Sequence, residues 1–168
     1  MPDVFVTRTN SNKYELFERL LSFIDTPDEI NAVLCGYFCK VFAQLLTNKA
    51  KEVYSYVYSH TEVLDNLVRH SYQKSISEIL IKLLNTTDNL FYNDKVNLAD
   101  INSIRASFIF KIVQKLSPNA PGGLEDHLNA GQILSELAEY KTLQDVLVSE
   151  RCYEEYVKYL MSDCSTSK

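Results

Sequence analysis

KEVYSYVYSH, residues 51–60, is the stretch whose reading decides the fold. Tyr54, Tyr56 and Tyr58 alternate with a period of two, the signature of a strand with one buried face. A strand needs a partner, however, and the chain holds no second alternating run. Left alone it would carry unpaired backbone groups. Helical patterns flank it on both sides, so residues 51–60 read as helix and no strand remains in the chain.

Working outward from this stretch, KYELFERLLSFID (13–25) spaces Leu16, Phe17, Leu20, Leu21 and Ile24 as an amphipathic helix. TPDE then offers Thr26 as a cap, Pro27 in a first turn and Glu29 where a capping box needs it, so a second helix is expected over 27–46. Its apolar residues, from Ile30 to Leu46, cover more than one face, as in a helix packed on two sides. Downstream, TEVLDNLVRH (61–70) and SISEILIKLLN (75–85) predict two more helices, with Thr61 and Ser75 as caps. NTTDNLFYNDKVN (85–97) reads as a surface loop. Further helices are expected over 98–116, after Gly123, and over 151–161.

CKVFAQLLTN (39–48) and FKIVQKLSPN (110–119) align without gaps at an offset of 71 residues, about twice the length of common helical-hairpin repeats. The pattern predicts an all-α, irregular α-solenoid of stacked helical hairpins, resembling HEAT or armadillo arrays, with 27–46 and 98–116 in equivalent positions. Residues 13–162 form the helical-repeat domain in this reading, between a flexible segment, 1–12, and a disordered tail, 163–168. Phe42, Leu45, Leu84, Phe108, Ile112 and Leu134 are the expected core.

The chain has 168 residues, 46% of them hydrophobic, enough for a packed core. A net charge of -5 with only 17 Lys and Arg argues against nucleic acid as a partner. No apolar run of about 18 residues and no signal-peptide layout occurs, so the expectation is a chain with no membrane partner, cytoplasmic or nuclear. Cys35, Cys39, Cys152 and Cys164 match neither a disulfide framework nor a paired zinc motif, and free thiols are expected.

No phosphate loop, nucleophile elbow or His-Glu-x-x-His motif is present, and the reading is of no catalytic residue, no metal and no cofactor. The acidic stretch GLEDHLN (123–129) offers His127, but no second ligand lies one turn away, and adjacent Asp126 and His127 diverge by about 100° around a helix. Glu125 and Asp126 suit a first helical turn. Asn129 is placed to hydrogen-bond a neighbouring loop, with Ala130 and Gly131 allowing close approach. Cys35 and Cys39 read as core residues, and His60 and His70 as helix-end caps facing the negative end of the dipole. Lys40 and Lys111 occupy matching repeat positions and, with Lys115, could line one side of the array. Lys40, Lys111, Lys115, His127 and Asn129 are therefore the candidate partner-binding residues.

The order of blocks SFIDTPDEI, GYFCKVFAQLL, TNKAKEV, LDNLVRH and SISEILIKLL, followed by QKLSPN and HLNAGQILSEL, resembles the opening of the SAPS domain over residues 16–140. That family comprises regulatory subunits of protein-phosphatase-6-type serine/threonine phosphatases. Its second helix opens with a Pro-Leu-Asn-Pro-like stretch where this chain has PDEINAVL, and its domains are longer, so the match is to the front of the domain. The resemblance implies a non-catalytic regulatory or scaffold subunit. Such a subunit binds a protein-phosphatase-6-like catalytic subunit, helps direct it to substrates and can contact further scaffold proteins. Two alternatives stay open from the residues alone: a solenoid adaptor for trafficking or transport cargo, and a small helical enzyme.

Overall fold

The computed structural model describes residues 14–85, 98–117, 120 and 122–163. Among these the regular elements are all helical: α1 (Glu15–Leu21), α2 (Ala32–Asn48), α3 (Ala50–Ser59), α4 (Thr61–Arg69), α5 (Lys74–Leu84), α6 (Leu98–Gln114), α7 (Gly123–Ala138), α8 (Lys141–Leu147) and α9 (Glu150–Asp163). The expectations for residues 1–12, for most of the loop 85–97 and for the tail after Asp163 lie outside the described residues.

The alternating tyrosines are helical, and the geometry of α3 accounts for all three. Tyr54 and Tyr58, four residues apart, share a face. Their hydroxyls donate to the carbonyls of Lys82 at 3.0 Å and Leu83 at 2.9 Å. Both carbonyls lie in the last turn of α5, where a helix leaves its acceptors unpaired, so the two tyrosines cap that end. Tyr56 points the other way, its ring 5.2 Å from Phe17 and 5.0 Å from Tyr14, with its hydroxyl donating to Glu18. A period of two that usually marks a strand here marks a helix buried on opposite sides.

α2 begins five residues later than the sequence suggests. The Asn31 side chain accepts from the backbone N–H groups of Val33 at 3.0 Å and Leu34 at 3.1 Å and is the true cap. Thr26 instead accepts from the N–H of Asp28 within a short non-helical arch. Thr61 and Ser75 likewise fall inside α4 and α5, which start after His60 and Gln73 without a side-chain cap. The expected helix 13–25 ends as α-helix at Leu21 and tightens into i→i+3 turns to Asp25.

α2 is also not an interior helix. Cys35, Phe38, Cys39, Phe42 and Leu45 are buried, but Val33, Leu34, Tyr37 and Val41 face outward, exposed by 66%, 55%, 61% and 48%. Two rows of helices build the core: α2 packs on α5 and α5 on α7, while α4 packs on α6 and α6 on α9. The α4–α5 and α6–α7 contacts tie the rows together. α2 and α6 therefore stand in different rows, and α6 ends at Gln114 where the aligned segment of α2 is still helical. Their sequence match reflects the same apolar spacing serving two different sets of neighbours. All six expected core residues, Phe42, Leu45, Leu84, Phe108, Ile112 and Leu134, are buried.

Candidate partner interface

Of the five candidate residues Lys40 is exposed and His127 lines a groove, while Lys111, Lys115 and Asn129 are engaged by partners within the chain. Lys115 sits just past α6, its side chain only 14% exposed, against Asp126 at 7%. Its ammonium donates to Oδ1 of Asp126 at 2.7 Å, Oδ2 at 3.0 Å and Ser71 Oγ at 3.0 Å. Burial pushes the Lys115 pKa down, and the hydrogen bond and charge of Asp126 pull it back. Gly122, the residue before α7, makes room for this pair. A Cβ on Gly122 would stand 1.9 Å from Oδ2 of Asp126, and Gly123 turns the chain at φ 69°.

Lys111, one turn earlier, forms an ion pair with Asp65 of α4 and lies 4.4 Å above the Phe108 ring. Asn129 donates to the carbonyl of Tyr72 at 2.6 Å, the loop contact expected of it. A Cβ added at Gly131 would meet the Leu116 side chain at 4.0 Å, an ordinary van der Waals distance, so that position does not depend on glycine for space.

These contacts converge on the turn Arg69–Tyr72. On its other side, Arg69 donates from Nη1 to the carbonyl of Thr26 at 3.2 Å, and His70 Nε2 faces the carbonyls of Ile24 and Thr26 at 3.1 and 3.0 Å. Two carbonyl acceptors require the proton on Nε2, which leaves Nδ1 to accept from the Tyr72 hydroxyl at 3.5 Å. That hydroxyl itself accepts from the N–H of Ile30 at 2.9 Å. His70 is 1% exposed, and burial pushes its pKa below the ordinary value against the upward pull of the two carbonyls. It is a buried neutral link rather than an imidazolium cap. His60 does cap: its Nδ1 donates to the carbonyl of Tyr56 at the end of α3.

Lys40 and His127 remain presented. Lys40 is exposed on the outer face of α2 beside Tyr37, Nζ 5.8 Å from that ring. α2 packs on α3 and α5, whereas α6, which carries Lys111, packs on α4, α7 and α9. His127, half-buried, lines a groove of about 720 Å³ with Leu116, Leu124, Tyr156, Tyr159 and Leu160. A second groove, about 820 Å³, runs past Pro27, Glu29, Arg69, Lys111, Lys115 and Lys158. Cys35 and Cys39 are buried in the core, and the hydrogen bond with Cys35, with burial, raises the Cys39 pKa and keeps its thiol protonated. Among the described residues no three His, Cys, Asp or Glu side chains converge as a metal cage, and no helix is long and apolar enough to cross a membrane.

Residues 42–167 match the family model described as SAPS, SIT4 phosphatase-associated protein. The chain belongs to the SAPS family. It is similar to serine/threonine-protein phosphatase 6 regulatory subunit 1 of Mus musculus, 27% identical over 124 residues that cover 73% of this chain and 14% of the relative. The human protein of the same name is 23% identical over 136 residues, 80% of this chain and 15% of its own. Extragenic suppressor of kinetochore protein 1 of Schizosaccharomyces pombe is 28% identical over 69 residues, 41% of this chain and 8% of the relative. No solved structure matches. This SAPS-family chain thus spans about a seventh of the length of the phosphatase 6 regulatory subunits. Within it, the polar turn at Arg69–Tyr72 escaped the sequence reading, because its partners lie 42 to 57 residues away.

Proposed function

We propose that this chain is part of a non-catalytic regulatory subunit that binds a protein-phosphatase-6-type catalytic subunit and helps direct it to substrates, in the cytoplasm or nucleus. The observation that carries the reading is the SAPS family match across residues 42–167, with relatives named as phosphatase 6 regulatory subunits. The helices continue into an irregular solenoid in this reading, the two contact rows being its two layers. Lys40 and His127 are the proposed partner contacts, since Lys111, Lys115 and Asn129 are already engaged within the chain.

Direct binding between the purified chain and a purified phosphatase-6-type catalytic subunit tests this, by calorimetry. Binding is expected, weakened by Lys40→Glu or His127→Glu, with the thermal melt unchanged in either variant. Absence of binding under conditions where a full-length phosphatase 6 regulatory subunit does bind overturns the reading for this chain. Undiminished binding by both variants overturns the assigned contacts and leaves the partner in place.

A further inference from the structure

The arch between α1 and α2 is built so that its fold does not depend on the hydroxyl of Thr26. Ile24 and Ile30 are buried at its two feet. Between them Asp25, Pro27, Asp28 and Glu29 are exposed and Thr26 is half-buried. The tethers to the body use the carbonyls of Ile24 and Thr26, the N–H of Ile30, and the Asp25 carboxylate, which accepts from Asn66 at 3.2 Å. The Thr26 hydroxyl accepts only from the N–H of Asp28, at 3.2 Å inside the arch. Thr26 is followed by Pro27, whose missing N–H and fixed φ are what a proline-directed kinase selects after the acceptor residue.

We propose that Thr26 is a phosphoacceptor for a proline-directed protein kinase, and that Arg69 holds the resulting phosphate. In the transfer, the γ-phosphorus of ATP gains a bond to Thr26 Oγ1 and loses its bond to the β,γ-bridging oxygen. ADP leaves, and the hydroxyl proton passes to the kinase's base. The product carries about -1.5 to -2 charge at pH 7 and three acceptor oxygens. Arg69 is exposed, and its guanidinium already reaches the carbonyl of this same residue. Both of its hydrogen bonds there use Nη1, which leaves Nη2 and Nε to pair with a phosphate on Thr26, the fork that favours bidentate pairing. Asp25, Asp28 and Glu29 oppose the added charge. Pro27, Asp28 and Glu29, the residues after Thr26, line the 820 Å³ groove together with Arg69, Lys111 and Lys158, so modification adds negative charge at the edge of that groove.

The test is phosphorylation of the full folded chain by a purified proline-directed kinase, with the site mapped by mass spectrometry. Stoichiometric label at Thr26 is expected, abolished in Thr26→Val and equally in Pro27→Ala. The second readout is phosphorus NMR against pH on the phosphorylated chain. The second ionisation of the phosphate should lie lower in the wild type than in Arg69→Gln, with Arg69→Lys between them. Label confined to Ser117, which precedes the chain's other Pro in a Ser/Thr-Pro pair, overturns the acceptor assignment. A phosphate titration unchanged across the Arg69 series overturns the grip.

Discussion

Replacing Lys115 by Met keeps the aliphatic stem and removes the ammonium from the seam between α6 and α7. In the native chain that ammonium contacts both carboxylate oxygens of Asp126, at 2.7 and 3.0 Å, with both side chains largely shielded from water. The variant leaves the carboxylate facing Ser71 Oγ at 3.4 Å, a single neutral donor that also serves the carbonyl of Val68. Removing one partner of a buried ion pair costs about 3–5 kcal/mol, because the other charge stays desolvated. For a domain of this size each kcal/mol moves the melting point by about 2–4 °C, so a fall of about 6–20 °C is expected. Urea unfolding followed by circular dichroism measures the loss, with an unchanged slope showing that the denatured state is not responsible. Lys115→Met with Asp126→Leu should recover most of it, since both charges leave together. A single variant that loses less than about 1 kcal/mol would mean the pair behaves like an exposed surface bridge, and the seam argument fails. The same logic bars Lys115→Glu from any binding test, because two facing buried carboxylates would unfold the chain first.

Leu84→Ala, which opens a cavity at a fully buried position, should cost about 2–5 kcal/mol in thermal melts. Asn31→Ala should cost about 1 kcal/mol through loss of the α2 cap, whereas Thr26→Ala should leave α2 helicity by circular dichroism unchanged. His70 has its pKa lowered in the folded state, so acid favours the unfolded chain. Above its unfolded value near 6.5 both states are neutral there and the group contributes no pH dependence. As pH falls from about 6.5 the unfolded state binds a proton that the native state does not, and stability drops by at most about 1.4 kcal/mol per pH unit. Melting points at pH 7 and 5 should converge in His70→Gln relative to wild type; an equal acid slope in both would remove His70 from the account.

Apolar spacing, with the lack of any second alternating run, determined that the elements are helical and picked out six core residues, because periodicity is a local property and a buried face imposes it wherever it occurs. It settled the tyrosines of 51–60 correctly, through the lack of any strand to pair with them. Spacing left undetermined which apolar face finds a neighbour. Val33, Leu34, Tyr37 and Val41 carry the same pattern as the buried residues of α2 and yet face outward, since only the position of α5 and α3 decides which side is covered. Polar placement was equally a tertiary matter. Lys111 and Lys115 look like free surface charges in the sequence, and Asp126 looks like a first-turn carboxylate. The approach of α4 and α7 turns them into ion-pair partners, across 46 residues for Lys111–Asp65 and across the Gly122–Gly123 turn for Lys115–Asp126. The cap of α2 illustrates the remaining limit: Thr26 and Asn31 both offer an oxygen acceptor. The carbonyl of Thr26 is drawn to Arg69 and His70 and the N–H of Ile30 to Tyr72, so the tertiary tethers hold 24–30 out of the helix and assign the cap to Asn31.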